Sequence, residues 1–394
     1  MNKKLLKVAL LSASMLVATA PAINANIPAM AAAFPDIPLS MVEMLTTIPS
    51  LFLMISVLTS SFIAKKLGYK QTIVLGPSIT SISGVIPAFI GDFYVVLVSR
   101  ALLGFRIGLF NSLLITLIAY FFDGEERTSM LGFHEALGGL GGMVITFIAG
   151  RLINIRWKAP FLAYSIAFIT LGIVIKVAPK VKNSDILEKV SRPVTGKEEN
   201  TQSGYFVIGF MILIVISAIL YMTMGTKVAT LIVQLGYGQA SDGSLVIMLL
   251  SFGAMLSGFL FGKMYRWFKD YILPLGYMVV ACAMFMIGVS NHTYITVLGG
   301  FLVGFGFRVV MPYLTNIVNM AHLKNTTLAT SLLLVADNFG CAFAPYGSLL
   351  IQELSWTENL RGTFYIDGIG FIILAVFTAM VITIKNRRRK VETV

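Results

Sequence analysis

The chain has 394 residues, of which 57% are hydrophobic and only 12% charged, and its mean hydropathy is +0.85. A soluble domain of this size carries about a quarter charged residues, so composition excludes a water-soluble globular protein and predicts an all-α, multi-pass membrane protein. The formal net charge of +12 would suit a nucleic-acid partner, but no folded basic domain is there to carry one.

A bilayer-crossing helix needs about 20 apolar residues. Runs of that kind occur at 8–33, 44–64, 71–90, 93–121, 129–150, 159–178, 204–226, 243–263, 271–290, 293–319, 326–350 and 363–384. The first begins after Lys3, Lys4 and Lys7 and contains Ala20-Pro21-Ala22, the pattern of a secretory signal and its cleavage site. Apolar sequence continues through Ile27-Pro28-Ala29-Met30-Ala31, and its removal would leave eleven spans, so a retained first helix is expected. The sixth run is followed by the longest polar interval, 179–203, which reads as a linker between two bundles, 1–178 and 204–385. A basic tail, 386–394, ends the chain, where it would meet anionic headgroups.

Twelve crossings fix the side of every loop relative to the others. With both ends inside, the inward segments hold most of the 30 lysines and arginines, among them Lys65, Lys66, Lys70, Lys176, Lys180, Lys182, Lys263, Arg266, Lys269 and Arg387. Outward loops hold few (Arg151, Arg156, Lys158, Lys227, Arg361). This is the positive-inside distribution, and it predicts cytoplasmic termini in the plasma membrane. Lys227 is expected at the outer mouth of the seventh span, or snorkelling there. Cys282 and Cys341 both fall within spans and read as packing residues.

The second half echoes the first, roughly 200 residues on. Lys65-Lys66-Leu67-Gly68-Tyr69-Lys70 is answered by Lys263-Met264-Tyr265-Arg266, Gly104-Phe105-Arg106 by Gly306-Phe307-Arg308, and Thr128-Ser129 before Glu135 by Thr330-Ser331 before Asp337. Duplicated hydrophobic halves of this kind are a transporter plan. Glycines four apart, at Gly104 and Gly108, Gly138 and Gly142, and Gly258 and Gly262, are expected to let another helix approach closely.

Twelve spans in two halves, basic turns after spans two and eight, and an arginine early in span four resemble the major facilitator superfamily. The stretch Ser61–Lys70 parallels that family's G-x-x-x-D-R-x-G-R-K turn, with Lys65 standing where the family has an acid that helps latch the outward-open state. Arg100, Gly104 and Gly108 fit the family's R-x-x-x-G-x-x-x-G pattern, whose arginine has been linked to proton transfer in related drug exporters. No proline follows the glycines at 138–142, so the exporters' fifth-span G-P motif is not matched. The resemblance implies two pseudo-symmetric six-helix bundles, alternating access, and gating by Lys65, Lys66, Gly68, Lys70, Lys263 and Arg266.

An ionisable group in mid-bilayer is costly unless paired or hydrated, which makes it a functional candidate. At about 1.5 Å per residue, Glu135 lies about 9 Å and Asp337 about 12 Å from the inner edge, and Arg106 and Arg308 lie at about 10 Å. Three readings follow from this shared depth. Arg106–Glu135 and Arg308–Asp337 form pairs in which a carboxylate carries protons; or the two arginines clamp an anionic solute; or the pairs are structural bridges. Arg100 joins Glu135 and Asp337 as a proton-coupling candidate. His134, Asn24, Asn26, Asn111, Asn316 and Asn338 offer hydrogen bonds to a substrate or between helices.

The expected function is therefore secondary transport of a small molecule: proton-coupled export of a small organic compound, or uptake or exchange of an organic anion. An ATP-driven pump is disfavoured because no G-x-x-x-x-G-K motif occurs. An intramembrane enzyme is disfavoured because His134, His292 and His322 form no metal-ligand pair. A receptor that binds without transport would look the same in sequence. No cofactor is expected, and the chain reads as a monomer.

Overall fold

The computed structural model describes residues 3–67, 69–177, 205–321, 326–355 and 360–392. The linker at 179–203, Gly68 of the first basic turn, and His322 and Lys324 lie outside them. The chain divides into two compact units, Met1–Lys197 and Glu198–Val394. Among the described residues every regular element is a helix. In hydrocarbon each backbone N–H and C=O must be satisfied within the segment, and a helix achieves this.

In the first unit α1 (Lys3–Ser14), a 3₁₀ turn (Ala20–Asn26) and α2 (Ile27–Ala33) together form the first crossing. It is followed by α3 (Leu39–Leu67), α4 (Tyr69–Phe89), α5 (Phe93–Phe121) and α6 (Gly124–Ile153), and by a sixth crossing made of a 3₁₀ turn (Ala159–Ser165) and α7 (Ile166–Val177). The second unit contains α8 (Tyr205–Gln234), α9 (Ala240–Phe268), α10 (Ile272–Val289), a tenth crossing split into α11 (Thr293–Phe307) and α12 (Val310–Met320), then α13 (Thr326–Glu353) and α14 (Arg361–Glu392). Among the described residues nine stretches are long and apolar enough to cross a membrane, Ala240–Val289 carrying two crossings back to back; Leu5–Ser14 and Val74–Phe89 supply shorter apolar helices.

Two expectations need correction here. The first run is not one helix: Pro21 and Pro28 each lack an N–H and begin new segments, so residues 15–19 leave the helix. The tenth run breaks after Phe307, at Arg308 and Val309. Helix α14 runs on into the basic tail expected from 386, to Glu392.

Side chains cap the starts of α5 and α9. The Asp92 carboxylate accepts from the Val95 amide at 3.0 Å to start α5. Gln239 and Asp242 form a reciprocal capping box on α9. In the connection before it, partial burial holds the Tyr237 phenol above its ordinary range, and its hydroxyl meets Thr296 Oγ1 at 3.1 Å. The Arg361 guanidinium closes the end of α10, donating to the carbonyls of Gly288 (2.8 Å) and Ser290 (3.1 Å) and to Asn291.

Helix pairs approach closely at glycine. Gly104 and Gly108 of α5 lie on the backbone at Pro49 and Leu53 of α3, and Gly304 of α11 lies on Leu250 of α9. A Cβ at these positions would enter a carbonyl oxygen. Gly258 and Gly262 behave otherwise: nothing lies within 4 Å of a Cβ there, so the close approach expected of them is absent. Four-residue glycine spacing marks an accessible stripe without saying which helix uses it.

Candidate functional site

The first unit organises its buried charges around the break in the first crossing. Outside a helix, the carbonyls of residues 15–19 need other donors. Arg106 on α5 donates through Nη2 to the Leu16 carbonyl at 3.0 Å and faces Thr19 Oγ1 at 3.4 Å. Arg100 donates through Nη1 to the Tyr164 hydroxyl at 3.1 Å and lies over the rings of Phe161 and Tyr164. The Tyr164 hydroxyl in turn donates to the Thr19 carbonyl at 2.9 Å. Arg106 directly and Arg100 through Tyr164 thus both reach Thr19, and both arginines are 0% exposed.

The expected Arg106–Glu135 pair is not formed. Glu135 lies exposed on α6, whereas Arg106 has turned to the unwound backbone. Equal depth fixes height along the membrane normal but says nothing about azimuth, and the broken first span supplied acceptors that no sequence period announces. With no accessible surface, Arg106 also offers nothing to an arginine clamp on a solute.

The glycine run of α6 receives the unwound segment. Gly138 faces the carbonyl of Ser14, Gly141 that of Met15 and Gly142 that of Ala18. One turn earlier, His134 Nδ1 meets Ser14 Oγ at 2.8 Å and its Nε2 meets Asn111 Oδ1 at 2.9 Å. Asn26 donates to the Trp157 carbonyl at 2.7 Å, and Asn24 is buried with its side-chain oxygen unmatched by any protein donor. Ala22, Ile23, Ile27 and Met30 are fully buried in the unit's core, and Leu6, Leu10 and Ala13 in a neighbouring cluster. The segment resembling a secretory signal is therefore integral to the packing of this unit.

The second unit gathers different groups at its own break. Tyr221 of α8 stacks on Phe307, ring centroids 4.0 Å apart and nearly parallel. Arg308 follows, exposed, within electrostatic reach of half-buried Asp337 on α13. Tyr221, Tyr277 and Cys341 lie within electrostatic reach of the same carboxylate. Asn338 is buried and donates within its own helix, to the Leu334 carbonyl at 2.9 Å. Asn316 turns to Met320 Sδ.

Lys227 is not at a mouth but wholly buried, which corrects the snorkelling expectation. It lies near Asp367 of α14, also 0% exposed, whose carboxylate faces Thr223. Asp367 went unremarked in the sequence because it stands about one turn inside the last span, close to charged Arg361. A signal was present: Thr223 and Lys227, and Thr363 and Asp367, are each four apart, placing a threonine and a charge on one face of each helix. Glu43 is a second omission. It is completely buried on α3, one residue before the position at which the second span was expected to open.

Of the expected gating residues, Lys66, Lys263 and Arg266 are exposed, with Lys263 Nζ over the Trp267 ring at 5.0 Å. The side chains of Lys65 and Lys70 lie outside the described residues, as does Gly68. No group of three potential metal ligands occurs among the described residues.

Residues 8–345 match the Major Facilitator Superfamily profile. A probable sugar efflux transporter of Helicobacter pylori strain P12 is 22% identical over 336 residues, covering 83% of this chain and 82% of that protein. The glucose/mannose transporter GlcP of Bacillus subtilis is 23% identical over 358 residues, 85% and 83% of the two chains. Among solved structures, a nucleoside transporter NupG mutant aligns with TM-score 0.75 at 10% identity, covering 95% of this chain and 99% of its own. The xylose transporter XylE from E. coli aligns at 0.70 and 13% identity, covering 94% of each. The helical plan, the glycine contacts that hold α5 on α3 and α11 on α9, and the match across nearly the whole length place this chain in the major facilitator superfamily, as a multi-pass membrane transporter.

Proposed function

We propose that this transporter exports a small polar solute of the sugar class by alternating access, coupled to protons, with both termini in the cytoplasm. The sugar class is supported by the names of both relatives, which cover about four-fifths of the chain, and the outward direction by that of the Helicobacter pylori protein alone. The observation that carries the coupling is Asp337, a half-buried carboxylate beside Arg308 at the interrupted tenth crossing and next to the stacked Tyr221 and Phe307. A carboxylate in such surroundings can exchange a proton when access changes, with the guanidinium compensating its charge. An aromatic face beside paired charges also suits a ligand carrying both C–H surface and hydroxyls.

Flux in proteoliposomes tests this. With an imposed pH gradient, at least one hexose or pentose is expected to accumulate against its own gradient. Asp337→Asn is expected to abolish that accumulation while equilibrium counterflow persists. Sugar flux no greater than in protein-free vesicles overturns the substrate class. Flux indifferent to the gradient and unchanged by Asp337→Asn overturns the coupling. Selective flux of an organic anion, lost in Arg308→Gln, would move the assignment to the anion reading.

A further inference from the structure

His134 is a buried titratable group of the first unit, and its hydrogen bonds define what it can do. Ser14 Oγ has one proton, which it donates to the Leu10 carbonyl at 2.8 Å. Toward His134, at 2.8 Å, Ser14 must therefore accept, so Nδ1 carries a hydrogen. On the other side of the ring Nε2 faces the Asn111 side-chain amide at 2.9 Å. Asn111 Oδ1 accepts only from a protonated Nε2, which makes the ring an imidazolium. A half-turn of the same amide presents its NH₂ to an unprotonated Nε2, which makes the ring neutral. Either protonation state is thus fully hydrogen-bonded, and one amide rotation separates them. A buried histidine held only for packing has no need of a partner that serves both states.

The charged and titratable groups on the surrounding helices leave this exchange open. On α6, Glu135 is adjacent, exposed and within electrostatic reach of the ring. On α1, Lys7 pairs with Glu126 of α6 at 2.7 Å, near the other end of the helix. On α5, Arg106 is held by Leu16 and Arg100 by Tyr164. Ser14 is the last residue of α1, so the ring's state is transmitted to the point at which the first crossing unwinds.

We propose that His134 is a second proton-binding residue, switching between imidazole and imidazolium with a half-turn of Asn111, and that it sets the hold of α6 on the break in the first crossing. The uptake balances simply: one proton enters at Nε2, and the amide exchanges a donated for an accepted hydrogen bond. The proposal rests on the transport reading only for its physiological use, so its first test needs no substrate.

Histidine-selective ¹⁵N labelling of the full chain in detergent micelles reads each ring's protonation against pH, and His134→Gln assigns the resonance among the three histidines. A reversible imidazole–imidazolium transition is expected within the pH range over which the protein stays folded. Asn111→Asp, which only accepts when ionised, is expected to raise its midpoint by one pH unit or more, and Asn111→Leu to lower it. A ring that stays in one state across that range, or midpoints that move the same way in both variants, overturns the proposal. In proteoliposomes, His134→Gln is expected to flatten the pH profile of counterflow while the flux at its optimum stays within about threefold. If wild type moves no sugar, the transport reading fails while the titration still decides His134.

Discussion

The two units build the same set of crossings and use buried charge in different ways. In the first, cations answer backbone: Arg106 and, through Tyr164, Arg100 converge on the unwound segment at Leu16 and Thr19. In the second, cations answer acids: Arg308 lies near Asp337 and Lys227 near Asp367. The interruption moves accordingly, from the first crossing to the tenth, while the straight partners α5 and α8 stay 29 and 30 residues long. Duplication preserved helix packing at the glycine contacts and left each unit to solve its own electrostatics. A guanidinium on a carbonyl is a fixed fastening, because neither group changes charge at ordinary pH. A carboxylate near a cation can be discharged by one proton.

That contrast is breakable, most forcefully at the buried pair of the second unit. Lys227→Met or Asp367→Leu alone is expected to cost about 3–5 kcal/mol, since each leaves the other charge buried without its counterpart. The double variant should recover most of the loss, as thermal unfolding in detergent would show. A double variant as unstable as the sum of the singles would mean that the two do not act as a pair. In the first unit, Arg106→Gln should cost about 2–3 kcal/mol by weakening the bond to Leu16, and no acid-to-amide change at Glu135 should restore it. Rescue by Glu135→Gln would revive the ion-pair expectation. Smaller again is Gly141→Val, expected to cost about 1–3 kcal/mol by pressing on the Met15 carbonyl. Least of all is Gly258→Val, whose added atoms meet open space and whose effect should stay within about 0.5 kcal/mol.

What could be read from the sequence was what depends on length and composition. Twelve apolar runs and an all-helical fold follow from the bilayer's demand on backbone hydrogen bonds, and the family could be told from Arg100, Gly104 and Gly108. Azimuth could not be read: Glu135 and Arg106 share a depth, yet one is exposed and the other buried. Nor could the breaks. Prolines occur inside intact helices here too, at Pro49, Pro77, Pro87 and Pro345, so Pro21 and Pro28 gave no warning that theirs would open. Asp367 and Glu43 were missed because both stand near span ends, where charge is cheap, and only packing shows them to be fully enclosed.

The fastening at the first crossing also has a history in time. Leu16 is made 90 residues before Arg106, and Ser14 is made 120 residues before His134. At roughly 5–20 residues per second, Leu16 is joined to the chain about 5–20 s before its arginine exists. The first crossing therefore enters the bilayer without the bonds from Arg106 and Tyr164 that answer the carbonyls of its break, and these form only as the fourth and sixth crossings arrive. The fastening is a product of assembly, so a variant that lacks it would insert its first crossing normally and fail only afterwards.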